Sequence, residues 1–251
     1  MGASVAGMGN ITSTEQNEWS VFNNIAGLAG MPDWRASASY EVRPALTAAN
    51  RFAVLTAIPT TLGVFGTGIF RFGDDLYNEQ QVSVGFANRI GNTSLGGRIS
   101  YIQYHAEGFG THGVVGLDFG GITRLTPQLY IGAWIQNLNQ PTLNFNQEEK
   151  APVKLYATFG FLPTEKFRLV TELEKDILYP SIWKTGMEYT VHKKLFVRTG
   201  FNLNPNAFFL GIGFNSWKIK IDYSLQSITQ LNATHQASAS YRLSPIKKSE
   251  K

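Results

Sequence analysis

Three carboxylates and four cations in the second half of the chain are the residues whose types and spacing could do chemistry. Glu172 and Glu174 are two positions apart, so on an extended strand they project to one side, and Glu188 falls on the same side of the following strand. Carboxylates paired in this way can divide general acid and general base work. Lys154, Arg168, Lys184 and Arg198, however, fall on the same face of neighbouring strands. A mutually neutralising ladder of charges therefore accounts for all seven residues better than a catalytic pair does. The histidines His105, His112, His192 and His235 lack metal-ligand spacing. Ser238 and Ser240 follow His235 without a third group in reach, and the glycine runs 63–68 and 116–121 lack the strand-to-helix context of a phosphate loop. These residues therefore predict no catalytic centre, no metal site and no cofactor, and the chain reads as non-enzymatic.

Such a ladder has to be positioned by strands, and the sequence supplies them. Trp217, Ile219, Ile221 and Tyr223 alternate with Lys218, Lys220, Asp222 and Ser224. The same two-residue rhythm sets Trp183, Thr185, Met187 and Tyr189 against Lys184, Gly186, Glu188 and Thr190, and Val82, Val84 and Phe86 against Ser83, Gly85 and Ala87. Near the C-terminus Ala237, Ala239, Tyr241 and Leu243 alternate with Gln236, Ser238, Ser240 and Arg242. The rhythm restarts about fourteen times, with bulky apolar groups on one face and small or charged ones on the other, which is the signature of a transmembrane β-barrel. In lipid the apolar face turns outward, because only helices and closed barrels satisfy the backbone in hydrocarbon.

Bulk composition agrees. A chain of 251 residues with 43% hydrophobic and 16% charged residues and 25 glycines fits neither a helical bundle nor a disordered chain. No apolar run approaches the roughly 18 residues of a spanning helix. The absence of cysteine removes disulfides, thiol catalysis and cysteine-based zinc sites. A formal charge of +4 is spread along the chain rather than clustered, so nucleic acid is not an expected partner. Met1-Gly2-Ala3 opens without a basic stretch or an apolar core, so the chain reads as a mature form whose export signal has been removed.

Connections give an orientation. With a first strand near 35–42, tight turns are expected at 59–61, 91–93, 126–128, 163–166, 192–194 and 215–216. Longer loops are expected at 43–50, 73–79, 106–112, 137–151, 175–181, 202–206 and 225–232. Short turns face the periplasm in bacterial barrels, which places both termini there, in a Gram-negative outer membrane. Tyr40, Phe72, Tyr104, Trp134, Trp183, Trp217 and Tyr241 are candidates for interfacial girdles. Fourteen strands enclose more space than side chains fill, so residues 1–33, rich in glycine, alanine, serine and asparagine, are expected inside the lumen as a hatch. Residues 34–243 then form the barrel, and 244–251, stopped as a strand by Pro245, form a periplasmic tail.

Two N-terminal blocks carry a family resemblance. Residues 2–10, Gly-Ala-Ser-Val-Ala-Gly-Met-Gly-Asn, and residues 19–29, Trp-Ser-Val-Phe-Asn-Asn-Ile-Ala-Gly-Leu-Ala, resemble the opening and the hatch element of the PorV/PorQ-like proteins of the FadL outer-membrane superfamily. Asn24, Ala26 and Gly27 stand where that family has them, and Ile25 replaces its proline. Further matches are 137–141, Glu188-Tyr189 followed by 195–201, and His235-Gln236. The resemblance implies a fourteen-stranded barrel with a lumenal hatch, from bacteria of the Bacteroidetes type. It also implies a role in type IX secretion or surface attachment, through another outer-membrane protein such as a translocon or attachment-complex subunit.

The leading expectation is thus a partner-binding barrel in outer-membrane lipid. Its rivals are a FadL-like conduit for a hydrophobic ligand, in which Gly63, Gly66 and Gly68 weaken the third strand and permit a lateral opening, and a structural barrel subunit of an envelope complex. The orientation is testable with single cysteines and an impermeant maleimide on intact cells. Position 146 should label from outside while 92 and 193 remain protected, and labelling of 146 from the periplasm alone would invert the topology.

Overall fold

A computed structural model describes residues 1–143, 149–228 and 231–244. Among these residues fourteen antiparallel strands close into one barrel. In chain order they are β1 (Trp34–Val42), β2 (Arg51–Pro59), β3 (Val64–Gly73), β4 (Tyr77–Ile90), β5 (Thr93–Ala106), β6 (Gly110–Arg124) and β7 (Leu129–Gln136). They continue as β8 (Lys154–Thr164), β9 (Phe167–Asp176), β10 (Ile182–His192), β11 (Leu195–Leu203), β12 (Ala207–Asn215), β13 (Ile219–Ile228) and β14 (Leu231–Ser244). Each strand pairs with the next, and β14 pairs with β1 from Val42 opposite His235 to Trp34 opposite Ser244, so every strand has a neighbour on both sides. The wall alternates along every strand, as in β12, where Phe208, Leu210, Ile212 and Phe214 are exposed and Ala207, Phe209, Gly211 and Gly213 are buried. An outward apolar belt around a closed ladder is what hydrocarbon surroundings require.

The buried core lies inside the barrel and is built largely by residues 1–33. A single helical turn at Ala3–Ala6 packs against β12, β13 and β14, and 3-10 turns at Glu18–Val21 and Ile25–Gly30 pack against β1–β4 and β3–β6 respectively. Val5, Trp19, Val21, Ile25 and Leu28 of this segment cluster with Ala53, Leu55, Ala57, Val64 and Ala87 of the wall. Inward glycines let the segment approach the strands. A Cβ at Gly66 would lie 2.6 Å from both Leu28 Cδ1 and Val21 Cγ2, and one at Gly132 would lie 2.5 Å from the Ser13 carbonyl oxygen.

Several expectations change. The connections expected at 73–79, 106–112 and 225–232 are mostly strand and the one at 202–206 shortens to 204–206, since β3 and β4 are separated only by 74–76, β5 and β6 by 107–109, and β13 and β14 by 229–230. Longer connections remain at 43–50, 137–153 and 177–181. Polar side chains such as Asn78, Glu79 and Tyr104 mark where the apolar belt ends, whereas the backbone ladder does not depend on side-chain polarity and continues through them. As a result β4, β5 and β6 reach 14, 14 and 15 residues. Position 146 and residues 245–251 lie outside the described residues, while Asn92 and Lys193 occupy turns at the end where β1 begins.

The girdle is also revised. Tyr40, Trp183 and Tyr241 face outward, and Trp217 sits in the 216–218 turn rather than in β13. Phe72, Tyr104 and Trp134 fall on the inward phase of their strands. Trp134 is only 6% exposed and stacks on Tyr156 at 4.4 Å, because Ile131, Ala133 and Ile135 take the outward positions of β7.

Close seating of the segment on glycine gives a test. Gly132→Val should push residues 12–14 off the wall, at a cost of about 1–3 kcal/mol for an overfilled contact. Protease cleavage within residues 1–33 should then rise while the barrel keeps its heat-modifiable migration. Gly97→Val, on the outward face with only the Asp118 carbonyl at 3.9 Å, should leave both unchanged. Equal protection of the first variant and the wild type would show that the segment is not seated there.

Candidate functional site

Ionic and hydrogen-bonded contacts join the inner segment to the wall at several points, and the deepest is Glu172. This β9 carboxylate, 1% exposed, accepts hydrogen bonds from the Thr12 and Ser13 backbone N–H groups at 2.9 Å each, from Ser13 Oγ at 2.6 Å and from Thr158 Oγ1 at 2.8 Å. Lys184 Nζ stands 3.1 Å away, donates to the Asn10 carbonyl at 3.0 Å and pairs with Glu174 at 2.7 Å. Lys154 also reaches Glu174, at 3.5 Å. A carboxylate saturated by donors and bridged by an ammonium is a structural anchor, and the two glutamates share that ammonium instead of flanking a substrate.

Other contacts continue the pattern. Arg98 pairs with Asp118 and donates to the Val21 carbonyl at 2.7 Å, linking β5 and β6 to the segment. Arg198 bridges Glu188 and Asp222, and Lys220 lies 3.4 Å from Asp222. Arg168, expected to be neutralised within the wall, instead pairs with Glu15 of the inner segment at 2.8 Å and donates to Tyr130 Oη at 2.6 Å. The expectation missed that partner because Glu15 lies in a segment without periodicity. Arg98, Asp118 and Asp222 were visible as inward positions of their strands, and facing charges in register, such as Arg98 opposite Asp118, are the signal that exposes them.

The three hatch residues lie together in the segment. Asn24 Nδ2 donates to the carbonyls of Ser13 at 2.7 Å and Gly121 at 3.1 Å, while its Oδ1 accepts from the Ala26 N–H and caps the 3-10 turn. Ala26 is fully buried against Gly96, and a Cβ on Gly27 would overlap the Glu15 carbonyl. Ile25 fills the space left by Gly85 and Gly96.

The glycines proposed for a lateral opening are placed differently. Gly63 lies in the turn before β3, with φ +152°, and β3 is paired without interruption to β2 and to β4. Gly66 and Gly68 make room for Val21, Leu28 and Phe22. Ser238 and Ser240 face inward, where they bond to the Ala3 N–H and to Glu18, whereas His235 lies on the other face of β14, bonded to Tyr223 Oη at 2.6 Å. Among the described residues no group of three histidines and carboxylates could hold a metal ion.

Between segment and wall, at the end where β1 begins, is a cavity of about 430 Å³. Glu15, Glu18 and Glu188 line it together with Arg35, Arg168 and Arg198. Burial opposes ionisation of Glu18, but the Lys220 ammonium, the Ser240 hydroxyl and the Arg35 guanidinium outweigh it and hold its carboxyl below the usual range. Polar and charged groups dominate the lining, with Met31, Leu162 and Phe196 as its apolar members, and an apolar guest there would desolvate the charges without compensating them.

No protein-family model matches the chain, and no curated protein sequence matches it. Solved structures do. The monoaromatic hydrocarbon channel CymD superposes with a TM-score of 0.76 at 12% identity, covering 97% of each chain. The Pseudomonas putida toluene transporter TodX gives 0.75 at 11% identity, over 96% of this chain and 97% of its own. The fold is that of these two channels. An outer-membrane protein of Acinetobacter baumannii, Omp33, is more distant, with a TM-score of 0.55 at 7% identity over 84% of this chain and 98% of its own. The share of this chain left uncovered by the first two is far shorter than residues 1–33, so the inner segment belongs to the shared fold.

The lowered Glu18 value sets a pH response. Its contribution to holding the segment is complete above 4.5, the ordinary value, and is lost as pH falls through the lower folded value. Glu18→Gln should therefore loosen the segment already at neutral pH, by about 1–3 kcal/mol, leaving Arg35 with no carboxylate opposite. In planar bilayers the acid-induced rise in conductance should be smaller in the variant than in the wild type. An identical acid response would remove Glu18 as a latch.

Proposed function

We propose that this chain is a non-enzymatic channel of the bacterial outer membrane that conducts a small hydrophobic solute, with residues 1–33 as its gate. The observation that carries this reading is the agreement with two hydrocarbon channels along nearly the whole of both chains, inner segment included. The electrostatics add the gating. With the segment seated, it fills the lumen and leaves a hydrocarbon a cavity crowded with ion pairs, so conduction requires the segment to leave Glu172, Arg168 and Arg98. The unbroken pairing of β3 gives no support to a side exit at Gly63, Gly66 and Gly68.

The secretion-linked reading rests on the resemblance of the N-terminal blocks, and the solved structures reported above are channels or outer-membrane proteins without a stated secretion role. The two readings separate experimentally. Deleting residues 1–33 should raise single-channel conductance above that of the intact chain, and cells carrying the intact chain should take up toluene faster than cells lacking it. Unchanged conductance would remove the gate. Unaltered uptake, together with a copurifying protein partner and a defect in secretion or surface display, would favour the partner-binding barrel.

A further inference from the structure

On the outer wall, away from the lumen, three outward positions in register carry almost no side chain. Gly121 of β6 faces Ala133 of β7, which faces Ala157 of β8. Large residues rise on both sides of this floor: Phe119, Ile135 and Leu155 along one rim, Ile131 and Phe159 along the other. Leu95 closes the floor on β5, opposite Gly121, and Leu173 closes it on β9, opposite Ala157. The result is an apolar trough of about 1060 Å³ sunk into the wall.

Its dimensions select the guest. Strand rise puts the two rims about 13 Å apart between backbones, and the rim side chains narrow that to room for an alkyl chain lying on the floor. Strand spacing makes the trough about 19 Å long from β5 to β9. A partner helix, about 10–12 Å across with its side chains, is too broad to reach the floor. At the β9 end the chemistry changes. Lys175 lies on the outward face two residues beyond Leu173, and Trp183 stands opposite Leu173 in register. Lys175 Nζ donates to the Tyr179 carbonyl at 2.9 Å, and among the described residues no carboxylate forms an ion pair with it. Asp176, its neighbour in the chain, is buried on the other face. An apolar trough ending at an unpaired ammonium and an indole matches a molecule with an alkyl tail and an anionic head.

We propose that the trough is a binding site for one anionic phospholipid, with an acyl chain on the Gly121–Ala133–Ala157 floor and the phosphate at Lys175. Such a lipid is held in place, unlike those that slide along the convex remainder of the wall. The site does not depend on the lumen or on the gate, so it stands or falls separately from the channel reading.

The test uses the full chain purified in mild detergent and native mass spectrometry with added phosphatidylglycerol or phosphatidylcholine. The wild type should retain a single phosphatidylglycerol and prefer it to phosphatidylcholine. Lys175→Gln should lower that preference about fivefold, the worth of one interfacial cation. Ala133→Leu combined with Ala157→Leu should abolish retention of either lipid, with heat-modifiable migration showing that the barrel is folded. Equal retention of the two lipids by the wild type would overturn the assignment, as would undiminished retention by the filled variant. Should the filled variant fail to fold, Lys175→Gln decides alone, and an unchanged preference there rejects the site.

Discussion

The Glu172 carboxylate is held at once by two backbone N–H groups and a hydroxyl of the inner segment and by Thr158 and Lys184 of the wall. The rest of the structure depends on that arrangement. A wall of fourteen strands encloses a space its own inward side chains do not fill, and the chain fills it with its first 33 residues. Apolar contact alone would not hold a segment whose only regular elements are one helical turn and two 3-10 turns, since each unpaired N–H or carbonyl between them would weigh against burial. The inward charges of the wall supply those partners. Arg98 takes the Val21 carbonyl, Lys184 the Asn10 carbonyl, and Glu172 the N–H groups of Thr12 and Ser13.

Period-two patterning made the wall legible in the sequence because burial on one face and lipid on the other leave opposite marks on successive residues. Strands such as β10, β13 and β14 could be assigned face by face on that ground alone. Legibility failed where the mark is absent. Trp134 looked like an interfacial aromatic by type, but its phase within β7 turns it inward onto Tyr156. Polar residues at the ends of β3–β6 looked like loop, although backbone pairing carries on through them. Glu15 and Glu18, the segment's own anchors, were invisible because an irregular chain has no period from which to infer what it faces. The charge ladder was therefore half read: the wall side was evident and the segment side was not.

Comparison with the hydrocarbon channels sharpens one contrast. A barrel of this topology can superpose closely at 11–12% identity because the shared element is the backbone ladder, which is indifferent to lumenal chemistry. In this chain the inner surface is rich in ion pairs, and its cavity is edged by several of them. On the channel reading proposed above, passage would follow the parting of those pairs, which ties it to the energetics of the segment rather than to the width of the wall.

One consequence concerns the order in which the molecule comes into being. The Ala3 N–H finds its partner in Ser238, 235 positions later, and Thr12 finds Glu172 after 160. Residues early in the chain are thus among the last to be satisfied, and the seat for Ala3 does not exist until β14 has been laid beside β1. Contacts so distant in sequence are slow to form. Until the barrel closes, residues 1–33, with Trp19, Val21, Ile25 and Leu28 awaiting burial, are an adhesive apolar segment. In that interval it must be kept from aggregation by something other than its own fold.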